Sequence, residues 1–217
     1  MTQITNKTIR LSVALLGLAC GLTSATWAVP TQINLGGFSG FETVIGFNTI
    51  GNEVQINNQF SGQGVTFSGP LYGMTNPGDT QQFPNNGGGV IASNWRYGQG
   101  AAGYSFNVAF SQTETRVGFY VETNDRDDTT MNVYAGATLL GSLTFNSQIQ
   151  AAFFGAEDLA GFNNITISVQ RNDNGFIAID DLRFENRSGT VPDGGSSLAL
   201  LGGAMAMVGA LGRRFRK

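Results

Sequence analysis

The stretch "TRVGFYVET" at residues 115–123, together with "NITISVQ" at residues 164–170, decides the fold class of this chain. In the first stretch Val117, Phe119 and Val121 fall on one face, and in the second stretch the apolar residues alternate in the same way. A spacing of two residues is what a strand requires when one face of its sheet is buried. Both stretches therefore predict β-strands that pack on a core.

Similar short segments, separated by clusters of Gly, Asn, Asp and Ser, continue from residue 31 to residue 185. No run of twelve or more residues between 31 and 190 has helical periodicity, although "AAFFGAEDLAG" at 151–161 fits one helical turn or a loop. The predicted strands are 64–68, 103–110, 115–123, 130–135, 138–146, 150–154, 164–170 and 175–185, with a hairpin turn at 135–137. This pattern predicts an all-β fold, a two-sheet antiparallel sandwich of the jelly-roll or immunoglobulin type.

Composition excludes several classes of function. Charged residues make up only 12% of the chain while Gly contributes 31 residues, which is typical of a β protein with many turns. The absence of His removes every catalytic triad that needs an imidazole. From residue 29 to residue 190 there are six Arg, no Lys and fourteen acids, a net charge of −8. A body this acidic is a poor candidate for binding nucleic acid.

Residues 1–28 have the three parts of a secretory signal peptide. Lys7 and Arg10 form a basic start, residues 11–22 are apolar, and Ala28 is a small residue at the expected cleavage position. An uncleaved anchor helix is the alternative, but an apolar run of this length is short for a membrane span. The pattern therefore predicts export through the secretion translocon. Cleavage after Ala28 would also remove Cys20, the only cysteine, so that the mature protein would have no disulfide.

The C-terminal segment, residues 189–217, has three parts in a fixed order. An acidic turn motif is followed by an apolar segment at 197–212 and by a basic end. The motif consists of Val191, Pro192, Asp193, Gly194, Gly195 and Ser196, and the basic end carries Arg213, Arg214, Arg216 and Lys217. This segment resembles the PEP-CTERM sorting signal, in the variant that begins with Val-Pro-Asp. A permanent C-terminal transmembrane anchor is the alternative interpretation.

The resemblance implies that an exosortase, a membrane protease or transpeptidase, is the partner that processes this tail. The protein would attach to the membrane only transiently, through a short C-terminal helix, before reaching the surface or extracellular matrix of a bacterium. Pro192 and the two glycines keep the motif extended and open to a protease. The apolar segment is short for a lasting anchor, and the basic end holds the terminus on the cytoplasmic side. The implied function is that of an exported, non-enzymatic surface protein.

The body, residues 29–188, carries a second resemblance. The stretches "NNQFSGQGVTFSG" at 57–69, "NVYAGATLLGSLTF" at 132–145 and "GFIAIDDLRFE" at 175–185, together with 115–122, resemble a jelly-roll family of exported bacterial proteins. That family is similar to galactose-binding-like and carbohydrate-binding modules. The resemblance implies a structural calcium ion held by Glu42 with Asp180 or Asp181, since carboxylate oxygens suit calcium. Alternatively, one of the two aspartates bonds to backbone amides while its neighbour faces solvent.

Residues 70–103 form a long segment that is rich in Gly, Asn, Pro and Gln. Segments of this length are usually functional or flexible. Four aromatic residues lie in it, and they could either stack on sugar rings or cover the end of the core: Tyr72, Phe83, Trp95 and Tyr97. The alternative function is therefore that of a carbohydrate-binding module for extracellular polysaccharide. A glycan hydrolase would need two carboxylates at a set separation, which the sequence does not reveal.

Overall fold

The computed structural model describes residues 29–75, 83–84, 89–97, 99–123, 127–146, 151–169 and 175–186. The signal peptide with Ala28, and the C-terminal signal with its motif at 191–196, its apolar helix and its basic end at 213–217, lie outside the described residues. In the part of the chain that is described, no helix has the length and apolar character needed to cross a bilayer.

The described residues form an all-β structure, which confirms the predicted fold class. Helical geometry in this part of the chain is limited to two short 3₁₀ turns at Leu35–Gly37 and Ser61–Gln63. The strands are β1 (Thr31–Ile33), β2 (Thr43–Ile45), β3 (Val65–Ser68), β4 (Tyr72–Met74), β5 (Ile91–Ser93), β6 (Trp95–Arg96), β7 (Gly100–Ala101), β8 (Ser105–Thr123), β9 (Asp128–Ala135), β10 (Thr138–Asn146), β11 (Ala152–Val169) and β12 (Ile177–Glu185).

Ten of these strands are hydrogen-bonded into one antiparallel sheet. Their order is β10-β9-β11-β8-β12-β5-β4, and three short strands attach along it, β1 to β11, β2 to β12 and β3 to β8. The remaining two strands, β6 and β7, form a separate small ribbon. The sequence predicted a sandwich of two antiparallel sheets, whereas the described strands form one large, continuous sheet and one small second sheet.

The large sheet is continuous because two long strands, β8 and β11, run through both of its halves. The first part of β8 pairs with β3 and with the end of β11, whereas its second part pairs with β12 and with the start of β11. The register between β8 and β11 shifts between Glu157 and Asn164, which marks the point where one half gives way to the other. Gly161 lies at this point with a φ of 90°, a left-handed conformation that Gly adopts without steric cost.

The fused strands correct one prediction. Apart from the strand predicted over 150–154, the sequence left residues 151–161 open between one helical turn and a loop, and they lie almost entirely in β11. Phe154 and Ala156 are buried there and pair with Phe119 and Val117 of β8. Two buried positions two residues apart make this segment a strand, because tertiary pairing outweighs its high content of Ala, which favours helices.

A single main core lies between the two halves of the sheet. Val117, Phe119 and Val121 are fully buried in it, and so are Ile165 and Ile167, which confirms the faces predicted from the alternating pattern. The ring of Phe145 in β10 stacks on that of Phe154 in β11, with 5.1 Å between centroids and 17° between planes. Since β10 belongs to the first half and this part of β11 to the second, the two halves pack face to face.

The loops confirm the predicted hairpin. Ala135 pairs with Thr138 around a two-residue turn, in which Gly136 has a φ of 60° and donates its N–H to Asn163 Oδ1 at 2.8 Å. Most of the segment between β8 and β9 and of that between β11 and β12 lies outside the described residues. The two strands that flank each of these segments are not paired with each other.

Candidate functional site

A second, smaller apolar cluster covers the outer face of the sheet at β12, β5 and β4. It consists of Met74, Phe83, Ile91, Phe176 and Ala178, with Trp95, Tyr120 and Ala151 partly buried against it. In β12, Ala178 faces this cluster while its neighbours Ile177 and Ile179 face the main core. The first half of β12 is therefore buried on both sides, and the cluster packs Met74, Phe83 and Ile91 of the segment 70–103 against it.

The four aromatic residues predicted for sugar binding have different environments. Phe83 is 3% exposed and belongs to the outer cluster, so it has a packing role. Tyr72 lies under the guanidinium of Arg96, with 5.1 Å from Cζ to the ring centroid. Trp95 is half-buried with an edge contact to Phe176 at 6.1 Å, while Tyr97 is 77% exposed. Only the last two present ring surface to an open cleft.

Trp95 and Tyr97 line a cleft of about 320 Å³, which we call the aromatic cleft. In the described part of the chain the residues that line it are Asn52, Glu53, Gly73, Met74, Thr75, Trp95 and Tyr97. Asn52 Oδ1 accepts the backbone N–H of Thr75 at 3.0 Å, which joins two of the polar lining residues. Tyr72 and Phe83 do not line it.

A buried asparagine anchors the segment that carries the two rings. The amide group of Asn94 donates to the carbonyls of Gly103 at 2.5 Å and Gly175 at 2.7 Å, and its oxygen accepts the N–H of Ile177 at 2.9 Å. The next residue, Trp95, donates its backbone N–H to Ser93 Oγ at 3.0 Å. Because every polar atom of this amide group has a partner, the network fixes the start of the β6–β7 ribbon against β12.

Two of the three residues predicted for calcium, Glu42 and Asp181, pair with an arginine. Glu42 Oε1 accepts from Arg183 Nη1 at 2.8 Å, and Asp181 Oδ2 lies 3.4 Å from Nη2 of the same residue. In the described residues no three acidic or other metal-binding side chains form a cluster that could hold an ion. The guanidinium already supplies positive charge to two of the carboxylates, so the arrangement does not favour a cation there. The calcium site stays a prediction.

Asp180 has the surroundings that the alternative interpretation described. It is 2% exposed, and its Oδ1 accepts the backbone N–H of Asp181 at 2.8 Å. Burial raises the pKa of this carboxyl to about 7, although the N–H groups of Asp181 and Phe47 act in the opposite direction. Asp181 itself has a φ of 49°, at a bulge where the register of β12 against β8 shifts. This strained backbone holds the buried carboxyl in place.

Sequence reasoning missed the polar half of the aromatic cleft. Asn52 and Glu53 lie in a turn more than forty residues before Trp95, and nothing in their local sequence distinguishes them from other turn residues. What distinguishes them is a feature of the structure: Glu53 has a left-handed backbone conformation, with a φ of 58°, and its N–H donates to the carbonyl of Gly73 at 2.7 Å. That conformation depends on pairing with a distant strand.

Comparisons with known proteins give structural similarity alone. No family model matches the chain, and no curated protein matches its sequence. One similar solved structure is the K2 cleaved adhesin domain of Lys-gingipain, at 15% identity and a TM-score of 0.44, covering 66% of this chain and 98% of that one.

Two further similar structures are carbohydrate-binding modules. CsCBM6-3 from Clostridium stercorarium, in complex with cellobiose, has 18% identity and a TM-score of 0.37 and covers 67% of this chain and 94% of its own. TmCBM61, in complex with β-1,4-galactotriose, has 17% identity and a TM-score of 0.39, and the match covers 63% of this chain and 99% of that one. All three TM-scores are below 0.5, so the function of this chain has to be derived from its own residues.

Proposed function

We propose that this chain is an exported, non-catalytic protein of a bacterial cell surface or matrix, whose jelly-roll-like body binds extracellular polysaccharide in the aromatic cleft. The observation that carries the proposal is the pairing of Trp95 and Tyr97 with Asn52, Glu53 and Thr75 around one open cleft. Aromatic rings offer apolar faces to the C–H groups of a sugar, and amide, carboxylate and hydroxyl groups bond to its hydroxyls.

The rings of Trp95 and Tyr97 differ in how firmly they are held, and both arrangements suit a binding role. Trp95 is fixed from behind by Phe176 and by the Asn94 network, so little conformational freedom is lost when a ligand packs on it. Tyr97 is largely exposed, and an exposed aromatic residue beside a cleft is typical of a binding surface. The cleft volume lies at the lower end of the range for ligand pockets, roughly 300–1,000 Å³, which fits a short stretch of a glycan chain.

Delivery of the body to the surface depends on the two terminal segments. In this proposal the translocon exports the chain, signal peptidase cuts after Ala28, and an exosortase processes the tail near the motif that starts at Val191. The support comes from the sequence, through the order of motif, short apolar segment and basic end.

The binding proposal is tested on a glycan array with the purified protein and its Trp95→Ala and Tyr97→Ala variants. We expect bound polysaccharides on the array, with the signal lost in Trp95→Ala and reduced in Tyr97→Ala. Leu139→Ala is the matched control, because Leu139 is also an exposed apolar residue but lies on β10. A protein that binds no glycan, or a Trp95→Ala variant that binds as well as the parent, would refute the proposal.

The sorting proposal has a separate test. Mass spectrometry of the mature protein from its host should find a C-terminus close to the motif at 191–196. A mature chain that still ends at Lys217 would exclude processing and favour a permanent anchor. This result is independent of the glycan array, so the two proposals can fail separately.

A further inference from the structure

A second cleft lies at the opposite end of β12 from the aromatic cleft. Its volume is about 270 Å³, and we call it the carboxyl cleft; it is lined by Ser39, Phe41, Thr43, Gln112, Glu114, Phe184, Glu185 and Asn186. Asn94 bonds to Ile177 at the start of β12, and Glu185 ends the same strand. At about 3.3 Å per residue, the two ends are roughly 25 Å apart. The two clefts are therefore separate sites.

Glu114 is the unusual residue in this cleft. Its side chain lines the cleft although the residue is only 7% exposed, and its carboxyl forms no hydrogen bond with any described residue. Burial, together with the nearby charge of Glu185, raises its pKa to about 7. Because this carboxyl lines the cleft and is not fully enclosed, solvent or a ligand can reach it. Glu114 therefore offers an unused hydrogen-bonding group to whatever enters the cleft.

The neighbouring carboxylate is already occupied. Glu185 Oε2 accepts from both the backbone N–H and the hydroxyl of Ser39, and Oε1 accepts from Arg116 Nη1 at 2.9 Å. Arg116 in turn bonds to Glu157, so its charge is shared by two carboxylates. Among the described residues that line it, the cleft thus has no free cation for an anionic ligand, and one uncommitted carboxyl for a metal ion. These contacts favour a neutral ligand.

The remaining lining groups indicate what kind of neutral ligand fits. Phe41 is 94% exposed, so its ring presents a bare apolar face. Thr43, Gln112 and Asn186 supply a hydroxyl and two amides, which both donate and accept hydrogen bonds. An exposed ring next to neutral hydrogen-bonding groups matches a polyhydroxylated ring, which has an apolar face and polar edges.

We propose that the carboxyl cleft is a second saccharide-binding site, in which Phe41 stacks on a sugar ring and Glu114 bonds to one of its hydroxyls. The inference shares its ligand class with the proposed function but does not depend on the aromatic cleft. Two such sites on one rigid body would bind one long glycan, or two neighbouring glycans, with an avidity above the affinity of either site.

The test is an NMR titration of the ¹⁵N-labelled full-length protein with methyl glycosides of glucose, galactose, mannose and N-acetylglucosamine. We expect at least one glycoside to shift the backbone amides of Phe41, Thr43 and Glu114. Shifts at Asn52, Trp95 and Tyr97 report on the aromatic cleft in the same spectra. The carboxyl cleft and the proposed function can therefore fail independently.

Three variants test which residues of the carboxyl cleft bind the glycoside. Phe41→Ala, which removes an exposed side chain and does not threaten folding, should weaken binding at the carboxyl cleft by roughly tenfold. Glu114→Ala should weaken it by a similar factor, whereas Glu114→Gln, which can still donate and accept, should retain binding. All three should leave the shifts at the aromatic cleft unchanged. The proposal is overturned if no glycoside moves the amides around Glu114, or if Phe41→Ala binds as tightly as the parent protein.

Discussion

The guanidinium of Arg116 and the carboxylate of Glu185 form an ion pair across the neighbouring strands β8 and β12, with 2.9 Å between Nη1 and Oε1. The two residues are register partners, and both are buried. Arg116 is also the register partner of Glu157 on β11, to which it donates a second set of bonds. One arginine therefore links three adjacent strands.

Replacing Arg116 with Met should lower the free energy of unfolding by about 3 kcal/mol, because it leaves the buried carboxylate of Glu185 and the half-buried one of Glu157 without their cation. Urea denaturation followed by circular dichroism measures the loss. Arg116→Lys keeps the charge but not the fork of donors, so its loss should be smaller than that of the Met variant. A change below about 1 kcal/mol for Arg116→Met would mean that the pair is no stronger than an exposed one.

The buried carboxyl of Asp180 should make stability depend on pH. Its pKa is raised from 3.8 to about 7 in the folded protein, so between these values the folded state holds a proton that the unfolded state has released. Stability is then highest below the lower value and falls as the pH rises through the upper one. The slope of urea midpoint against pH over this interval measures the effect.

Asp180→Asn removes the titrating group while keeping an oxygen that accepts the N–H of Asp181. We expect a flatter stability profile in this variant, with the largest gain over the parent above pH 7. Glu114→Gln should reduce the dependence of stability on pH in the same way, because the pKa of Glu114 is also raised to about 7. Parallel profiles for the parent and Asp180→Asn would contradict the assignment.

Asn94→Ala should destabilise the protein by roughly 2 to 4 kcal/mol, because it removes the side-chain partner of one buried carbonyl, one partly buried carbonyl and one buried N–H. Hydrogen exchange should rise first in the β6–β7 ribbon, and glycan binding at the aromatic cleft should weaken with it. Asn107→Ala is the matched control, since Asn107 is an exposed asparagine with side-chain bonds to Ser68 and Thr166. Equal losses in the two variants would rule out a special anchoring role for Asn94.

Gly118→Ala should cost about 1 to 3 kcal/mol through overpacking. A Cβ at this position would lie 2.4 Å from Cζ of Phe153 and 3.1 Å from Cα of Gly155, and the Phe153 ring is held by edge contacts with Phe38 and Tyr120. Gly46→Ala is the control, because a Cβ there meets no atom within 4 Å. Thermal unfolding should separate the two variants clearly, and similar melting temperatures would show that the Phe153 ring moves aside.

The sequence was sufficient to predict the strands and their buried faces where alternation was strong. Val117, Phe119 and Val121 are buried as expected, and the hairpin at Gly136 forms where the turn chemistry placed it. Six short strands were missed, β1, β2, β4, β5, β6 and β7, because two or three residues are too few to show a period. Two of them, β1 and β2, owe their conformation to pairing with β11 and β12, far along the chain.

The site was harder to predict because its determinants are long-range. Trp95 and Tyr97 were recognised by residue type, whereas Asn52 and Glu53 join them only through the fold. The same applies to Glu42 and Arg183, which are 141 residues apart and form an ion pair. A sequence shows which side chains carry charge, but the pairing of those charges depends on the three-dimensional arrangement of strands.

The position of β12 has a consequence for biogenesis. This strand lies in the middle of the large sheet, bonded to β8 on one side and to β2 and β5 on the other, yet it is the last described strand in the chain. The first strand, β1, likewise has its partner more than 120 residues away in β11. Contacts so distant in sequence make folding slow and prevent it from finishing before residue 185 is available. The nascent chain therefore lacks its complete sheet until synthesis has passed β12, so the order of the strands delays the finished fold to the end of the body.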